Sequence, residues 1–415
     1  MILAGDFIPK NLMVHLPDEF KGLLVLANLE GPICADGLPQ SNKVGVCLHT
    51  SRELFDCSDC SIVRLEGGGV APRFAFSLAN NHVMDYGEEG LRQTKVTLAS
   101  HGIPFAGAGD NEEEARRPMI LEENGKHIAV FCCCERQFGM ATAGSAGCAE
   151  KGVWLYNAIR EIKVSGLADF VIVSCHAANE FSPWPTPRLR EFYRSLIDVG
   201  ADCIHGHHAH VPQGWEVYGG KPIFYGLGNF VVDCEAWKSN RNQLWSLVAD
   251  LSFGCDGRLS FSVSSYAVRQ NSNGLSLEKV LNDERVRVYL EGAKAPLEGR
   301  DHSLAAVWQE VAVRTFSSLH SQVLRIRGAC LRRLSMRDRL RKLYFLLGDL
   351  GCVMSGRENV NRKTIHYGKV AYSRFNCESH AECIATALGV LTGAEPDLRT
   401  ADTAKLVESL MNGGC

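Results

Sequence analysis

Short apolar runs that end in polar residues alternate along the first part of the chain with stretches of helical spacing. Ile2-Leu3-Ala4, Leu23 to Asn28, Ala75 to Leu78, Ile128 to Cys134, Phe170 to Ser174, Cys203 to Ile204 and Pro222 to Tyr225 read as strands. Between them, Gly87 to His101 sets Leu91, Thr94, Lys95 and Leu98 at helical intervals, and Pro187 to Val199 does the same with Leu189, Phe192, Leu196 and Val199. Asn111 to Ala115 opens on Asn-x-x-Glu, which resembles a capping box made by Asn111 and Glu114. Strands alternating with helices predict an α/β layered domain. Leu244 to Leu251 and Leu259 to Val268 predict a hairpin turning at Cys255-Asp256-Gly257, and Gln270 to Gly274 predicts a loop. From about Leu304 the pattern becomes helical. The expected division is therefore 1–270 for the layered domain and 271–415 for a mainly helical, basic extension.

Composition narrows this. The 415 residues suffice for roughly two to three domains. Lys and Arg total 44 against 47 Asp and Glu, a formal charge of −3, which gives no reason to expect a nucleic-acid partner or disorder. No apolar run approaches the ~20 residues of a membrane helix. Met1 to Pro9 lacks the basic start of a signal peptide, so the expected location is the cytoplasm. Of the 17 cysteines, Cys57-x-x-Cys60 forms one unmatched pair and Cys132 to Cys134 a run; reduced, small buried hydrophobes are the expectation. The basic stretch from Arg325 to Lys342 reads as a solvated helical face. Its functional alternatives are docking to an anionic partner and self-association through Leu340, Tyr344, Leu346 and Leu347.

The chemistry concentrates in His205-Gly206-His207-His208-Ala209-His210. Imidazoles suit zinc, manganese and iron, and a strand running into this segment sets it at the sheet edge where α/β proteins bind ligands. In an extended or turn backbone His208 and His210 point the same way. Asp6, Asn28 with Glu30, Asn80-Asn81-His82, and His176 also follow apolar runs. Each alone reads as a cap or turn former. Their recurrence at successive strand ends suits convergence on a pair of divalent metals. His205 and His207 can contact substrate or serve packing. Gly226-Leu227-Gly228-Asn229-Phe230 reads as a tight turn passing close to the site, with Asn229 able to donate to a substrate oxygen. Gly107-x-Gly109 reads as a plain loop. The Pro183, Trp184, Pro185, Pro187 segment reads as a rim or lid over the pocket, or as a surface loop.

Gly5-Asp6, Asn28-Leu29-Glu30-Gly31-Pro32, Ala79-Asn80-Asn81-His82 with Asp85-Tyr86-Gly87, Gly102-Ile103 with Ala106 to Gly109, Gly206-His207-His208-Ala209-His210 and Tyr225 to Phe230 follow the order and spacing of the CapA family over about the first 235 residues. These are bacterial capsule and poly-γ-glutamate synthesis proteins, and the resemblance implies a β-sandwich flanked by helices of the calcineurin-like metallophosphatase type. It implies Asp6, Glu30, Asn81, His176, His208 and His210 as ligands of two divalent metals (Mn, Fe or Zn), with Glu30 bridging. It implies His82 as the catalytic histidine, with Asp85 holding its ring. Asn28, Asn80, Glu180, His207 and Asn229 are the candidate substrate contacts. Two departures stand out. The superfamily's first-strand Asp-x-His becomes Asp6-Phe7-Ile8, and the family's usual His-Trp-Gly-x-Glu becomes His176-Ala177-Ala178-Asn179-Glu180. The expected function is a binuclear metal-dependent hydrolase, of a phosphoester first and an amide or peptide-like bond second. Its substrate would be a small molecule or polymer precursor in surface-polymer synthesis. The alternative is a non-catalytic binding component of the same machinery.

Overall fold

The apolar runs become the inner strands of two facing sheets. The structure, a computed structural model, describes residues 1–10, 12–56, 63–65, 70–233, 240–271, 274–320 and 370–411. The larger sheet runs Val63–Leu65, Val14–Leu16, Gly274–Lys279, Leu259–Asn271, Trp245–Phe253, Ile2–Ile8, Leu24–Leu29, Arg73–Ser77, Phe105–Ala106, and Asn229–Val232 also pairs with Ile2–Ile8. The second runs Met119–Glu123, Lys126–Cys134, Phe170–His176, Cys203–His207, Lys221–Phe224, Trp215–Tyr218. Strands covered on both faces read as continuous apolar runs rather than alternating ones, and all of Ile2–Ile8, Leu24–Leu29 and Phe170–His176 is buried. Phe170 meets Phe253, and Phe224 meets Phe261, from opposite sheets.

Parallel pairing carries the functional consequence. Ile2–Ile8, Leu24–Leu29 and Arg73–Ser77 run parallel, as do Lys126–Cys134, Phe170–His176 and Cys203–His207. Polar residues that end these strands therefore gather on one edge. The register sets Asp6 opposite both Asn28 and Asn229, and His176 opposite both Cys134 and His207. Close approach of the chains needs glycine here. A Cβ on Gly5 would lie 1.8 Å from the Gly228 carbonyl oxygen, and one on Gly206 would lie 2.1 Å from that of Tyr225. The Gly226–Gly228 segment thus passes close to the strand ends as expected, but as bridged backbone rather than a tight turn, Leu227 pairing with Pro212 and Gly228 with Ser246.

The predicted helices form as Gly87–Ser100, Glu112–Ala115 and Pro187–Asp198. Asn111 caps the second through the Glu114 amide, and Thr186 caps the third ahead of Pro187. The hairpin Trp245–Phe253 with Leu259–Asn271 also forms. The predicted loop Gln270 to Gly274 differs at its ends, its residues 272–273 lying outside the described residues: the strand continues to Asn271 and pairs with Gly274–Lys279, so the sheet extends past residue 270. The Pro-rich segment differs too. Trp184 is fully buried and donates to the Gly292 carbonyl at 3.1 Å, which makes this segment a core anchor rather than a lid.

Helices Glu284–Lys294, Leu304–Thr315, Glu378–Thr392 and Ala401–Met411 make up the described C-terminal part. They lie against the sandwich: Tyr289 donates to the Pro212 carbonyl and Asn242 to that of Leu410, both at 2.8 Å. Trp308 joins two of them through Thr386 at 3.1 Å. The chain thus forms the expected layered α/β sandwich with a helical C-terminal part. The Arg325–Lys342 stretch, Leu340 to Leu347, Cys57 and Cys60 lie outside the described residues. Among the described cysteines all are free, and most are buried as expected, Cys255 being exposed. No helix among the described residues is long and apolar enough to cross a membrane.

Candidate metal centre

Glu30 lies at the middle of the convergent strand ends. It is 1% exposed, and neither carboxylate oxygen has a hydrogen-bond partner. Three imidazole Nε2 atoms face its Oε1: His210 at 3.5 Å, His82 at 3.8 Å and His176 at 3.8 Å. A buried carboxylate without hydrogen bonds is costly, about 1–3 kcal/mol or more for a charged group, unless something else fills its coordination. Ligand atoms within 4.8 Å of one another occur in three sets: Asp6, Glu30 and His210; Glu30, His176 and His208; and Glu180, His208 and His210. Mixed carboxylate and imidazole sets of this kind fit Mn, Fe or Zn.

Electrostatics agrees with a site built for positive charge. Burial raises the Asp6 carboxyl, but hydrogen bonding with His207 and His210 outweighs it and holds Asp6 well below the usual carboxylate range. Burial pushes Glu30 well above that range. Burial would lower His210, yet Glu30 and Asp6 hold its proton and raise it to about 10. Burial keeps His176 and His208 well below the ordinary imidazole value, hence neutral.

The backbone is strained where the histidines meet. His208 and His210 have φ of 84° and 55°, the left-handed region that residues with a Cβ avoid. Their convergence comes from these two residues rather than from strand alternation, because the strand ends at His207. His205 and His207 lie within that strand. His205 bonds the Ala4 carbonyl at 2.9 Å, across to the other sheet. His207 contacts Ser174 at 3.1 Å and Asp6 at 3.5 Å.

The remaining expected residues fall into place around the centre. Asn81 Oδ1 is 3.1 Å from His176 Nε2. Asn28 donates to Asp6 at 2.9 Å and sits 3.2 Å from His176 Nδ1, while Asn80 donates to Asn28 and to the Leu29 carbonyl. Asn28 and Asn80 are fully buried and committed to this network. Asn229 Oδ1 is 3.1 Å from His210 Nδ1, and its amide donates to Gln243. Glu180 is half-buried at the edge, with His208 and His210. His82 Nδ1 is 2.7 Å from Asp85, which leaves Nε2 facing the centre.

Three participants carried no recognised sequence motif. Lys43 pairs with Asp85, lies 3.0 Å from His82 Nδ1 and donates to the Asn81 carbonyl. It comes from a loop without periodicity, so nothing in the pattern marks it. Glu135 and Gln137 lie beside His208. Glu135 does follow the apolar run to Cys134, the same signal that marked Asp6 and His176. The two sequence departures are filled by packing. Phe7 joins Phe74, Phe76 and Phe230; Ile8 packs on Leu48; Ala178 packs on Ala209 and Val211.

Comparison with known proteins matches residues 16–234 to the family described as bacterial capsule synthesis protein PGA_cap. The capsule biosynthesis protein CapA of Bacillus anthracis is 29% identical over 223 residues, 52% of this chain and 52% of that one. The PGA biosynthesis protein CapA of Bacillus subtilis (strain 168) is 36% identical over 175 residues, 40% of this chain and 43% of that one. The chain thus spans about half the length of the curated relatives it matches. A crystal structure titled as a novel phosphatase from Mycoplasma pneumoniae is similar over 67% of this chain and 91% of its own, at 13% identity and a TM-score of 0.35. A score this low decides neither fold nor function.

Proposed function

The chain belongs to the bacterial capsule synthesis protein PGA_cap family, and from that premise and the buried centre we propose that it is a metal-dependent hydrolase, with a phosphoester as the bond cleaved. The observation that carries this reading is Glu30, a buried carboxylate with both oxygens open and three imidazole nitrogens turned toward it. Asp6, Glu30, Asn81, His176, His208 and His210 are the proposed ligands of two divalent cations, with Glu180 near enough to join the outer one. Bound metal would supply an activated water and charge stabilisation for a phosphoryl oxygen.

The chain's own residues do the rest. His82 turns Nε2 toward the place of the leaving oxygen, and Asp85, fixed by Lys43 and by the Leu48 amide at 2.7 Å, holds the ring through Nδ1. Asn28 orients Asp6 and His176. The proposed setting is surface-polymer synthesis, and the proposed substrate is a polymer or an activated precursor of it in the cytoplasm. Elemental analysis of protein purified without chelator tests the reading, alongside Asp6→Ala and His208→Ala. Transition metal in the wild type that is lost in both variants is expected. Wild type that holds none and takes none up on reconstitution overturns the hydrolase reading. A phosphoester screen follows, in which His82→Ala should keep the metal and lose turnover.

A further inference from the structure

The family match ends at residue 234, yet the centre has a wall that begins at Asn376. Glu135 is 4% exposed. Its Oε1 accepts from Gln137 Nε2 at 2.9 Å and from the Cys377 thiol at 3.6 Å, and Ser379 also bonds the carboxylate. The backbone joins in: the Glu378 amide donates to the Arg136 carbonyl at 3.1 Å, and Asn376 donates to that of Gln137 at 3.5 Å. On the other side of this junction stands His208. Its Nε2 is 2.9 Å from Gln137 Nε2 and 3.7 Å from Glu135 Oε1, while its Nδ1 is buried without a hydrogen-bond partner. His380 is close enough to act electrostatically on the same ring.

Resting on the metal-centre reading above, we propose that the start of the C-terminal helix Glu378–Thr392 is a built part of the centre, positioning His208 through Glu135 and Gln137. The two nitrogens of His208 are already distinguished, Nε2 engaged outward and Nδ1 left for a metal. A ligating histidine donates its other N–H to an outer partner, and that partner sets the ring's orientation and basicity. With the lone pair of Nδ1 on a metal, the ring proton sits on Nε2. It then donates to Glu135, or to the Gln137 side-chain oxygen after a half-turn of the amide that gives up the Gln137–Glu135 hydrogen bond. Cys377 and Ser379 hold Glu135 in place for this role. The same helix is anchored independently, by Thr186 to Glu382 at 3.0 Å and by Lys151 to Glu378 at 2.7 Å. Residues far from the matched region thus tune a ligand within it.

The test titrates Mn²⁺ alone into the metal-free full chain by calorimetry. Glu135→Ala and Gln137→Ala should each weaken Mn²⁺ binding about 10–100-fold. Cys377→Ala combined with Ser379→Ala should shift it in the same direction by less, and Glu135→Gln should recover part of the loss. Glu382→Ala, which unhooks the helix from Thr186 without touching Glu135, should leave affinity as in the wild type. Wild-type affinity in Glu135→Ala and Gln137→Ala overturns the proposal, and so does a loss in Glu382→Ala equal to that of the double variant. If Glu135→Ala fails to fold, Glu135→Gln and Gln137→Ala decide. A wild type that takes up no Mn²⁺ overturns the metal-centre reading and this proposal with it; a wild type that binds while the variants match it overturns this proposal alone.

Discussion

Glu30 and Glu216 are both glutamates buried in the same sandwich, and they live in opposite ways. Glu216 is met by Arg190 at 2.9 Å, Arg194 at 2.5 Å and the Tyr225 hydroxyl at 2.5 Å. Burial raises its carboxyl, but these partners outweigh burial and bring it to about 2. Glu30 has no hydrogen-bond donor on either oxygen, and burial pushes it the other way. Burial alone therefore says little about what a charged residue does. The filled one fastens helix Pro187–Asp198 to the second sheet; the open one is the proposed seat of a bound cation.

The sharpest way to break this contrast is to remove the filled carboxylate. Glu216→Ala leaves two arginines without their shared partner, and breaking a buried pair costs about 3–5 kcal/mol. Denaturant unfolding should show that loss with and without chelator. A loss that appeared only without chelator would mean Glu216 serves the centre after all.

Acid should act on the same residue. Its folded pKa is depressed, so its contribution is present above the unfolded value near 4.5 and is lost as pH falls toward about 2. The wild type should lose up to about 3 kcal/mol across that window, and Glu216→Gln should lose distinctly less. Parallel pH curves for the two proteins would remove Glu216 as the cause.

Glu30→Ala should do the converse. Its folding loss in chelator should be small beside that of Glu216→Ala, but it should abolish stabilisation by added metal. For a ligand at about 100 times its Kd, that stabilisation is about 2.7 kcal/mol. A Glu30→Ala protein that still gains as much from Mn²⁺ as the wild type would make Glu30 a structural residue, and the contrast would collapse.

How much of this was legible in the chain depends on how local the signal is. Asp6, His176 and Glu135 all end apolar runs, and that pattern marks a sheet edge without an alignment. Motif spacing separated Asp6 and His176 from ordinary caps, while Glu135 had no such motif and went unread. The His205–His210 cluster stood out as a candidate metal site, but its geometry was not legible: an extended or turn backbone was expected to align His208 and His210, whereas left-handed backbone at both brings them together. Lys43 was illegible because a loop has no period. The C-terminal wall was illegible because Cys377 meets Glu135 across 242 residues, a contact that tertiary packing alone creates. Strand and helix types followed from periodicity, and the continuation of the sheet past residue 270 did not, since Gly274–Lys279 takes its place by pairing with Val14–Leu16 and Leu259–Asn271.

The smallest expected effect sharpens the contrast from the surface. Glu89 is brought to about 2 by its hydrogen bonds from Arg92 and Gln93, the same value as Glu216. Its side chain is 46% exposed and that of Arg92 is 63%, against 7% for Glu216. In water the pair is screened, and ordering two long side chains offsets the attraction. Glu89→Gln should therefore leave the denaturant midpoint unchanged, at low and at high salt alike. A loss in Glu89→Gln comparable to that in Glu216→Gln would mean that the depressed pKa itself, rather than the burial of a satisfied charge, measures what such a residue contributes. An unchanged midpoint would tie the contribution to exclusion of water, the condition that Glu30 shares with Glu216 and that makes its open oxygens informative.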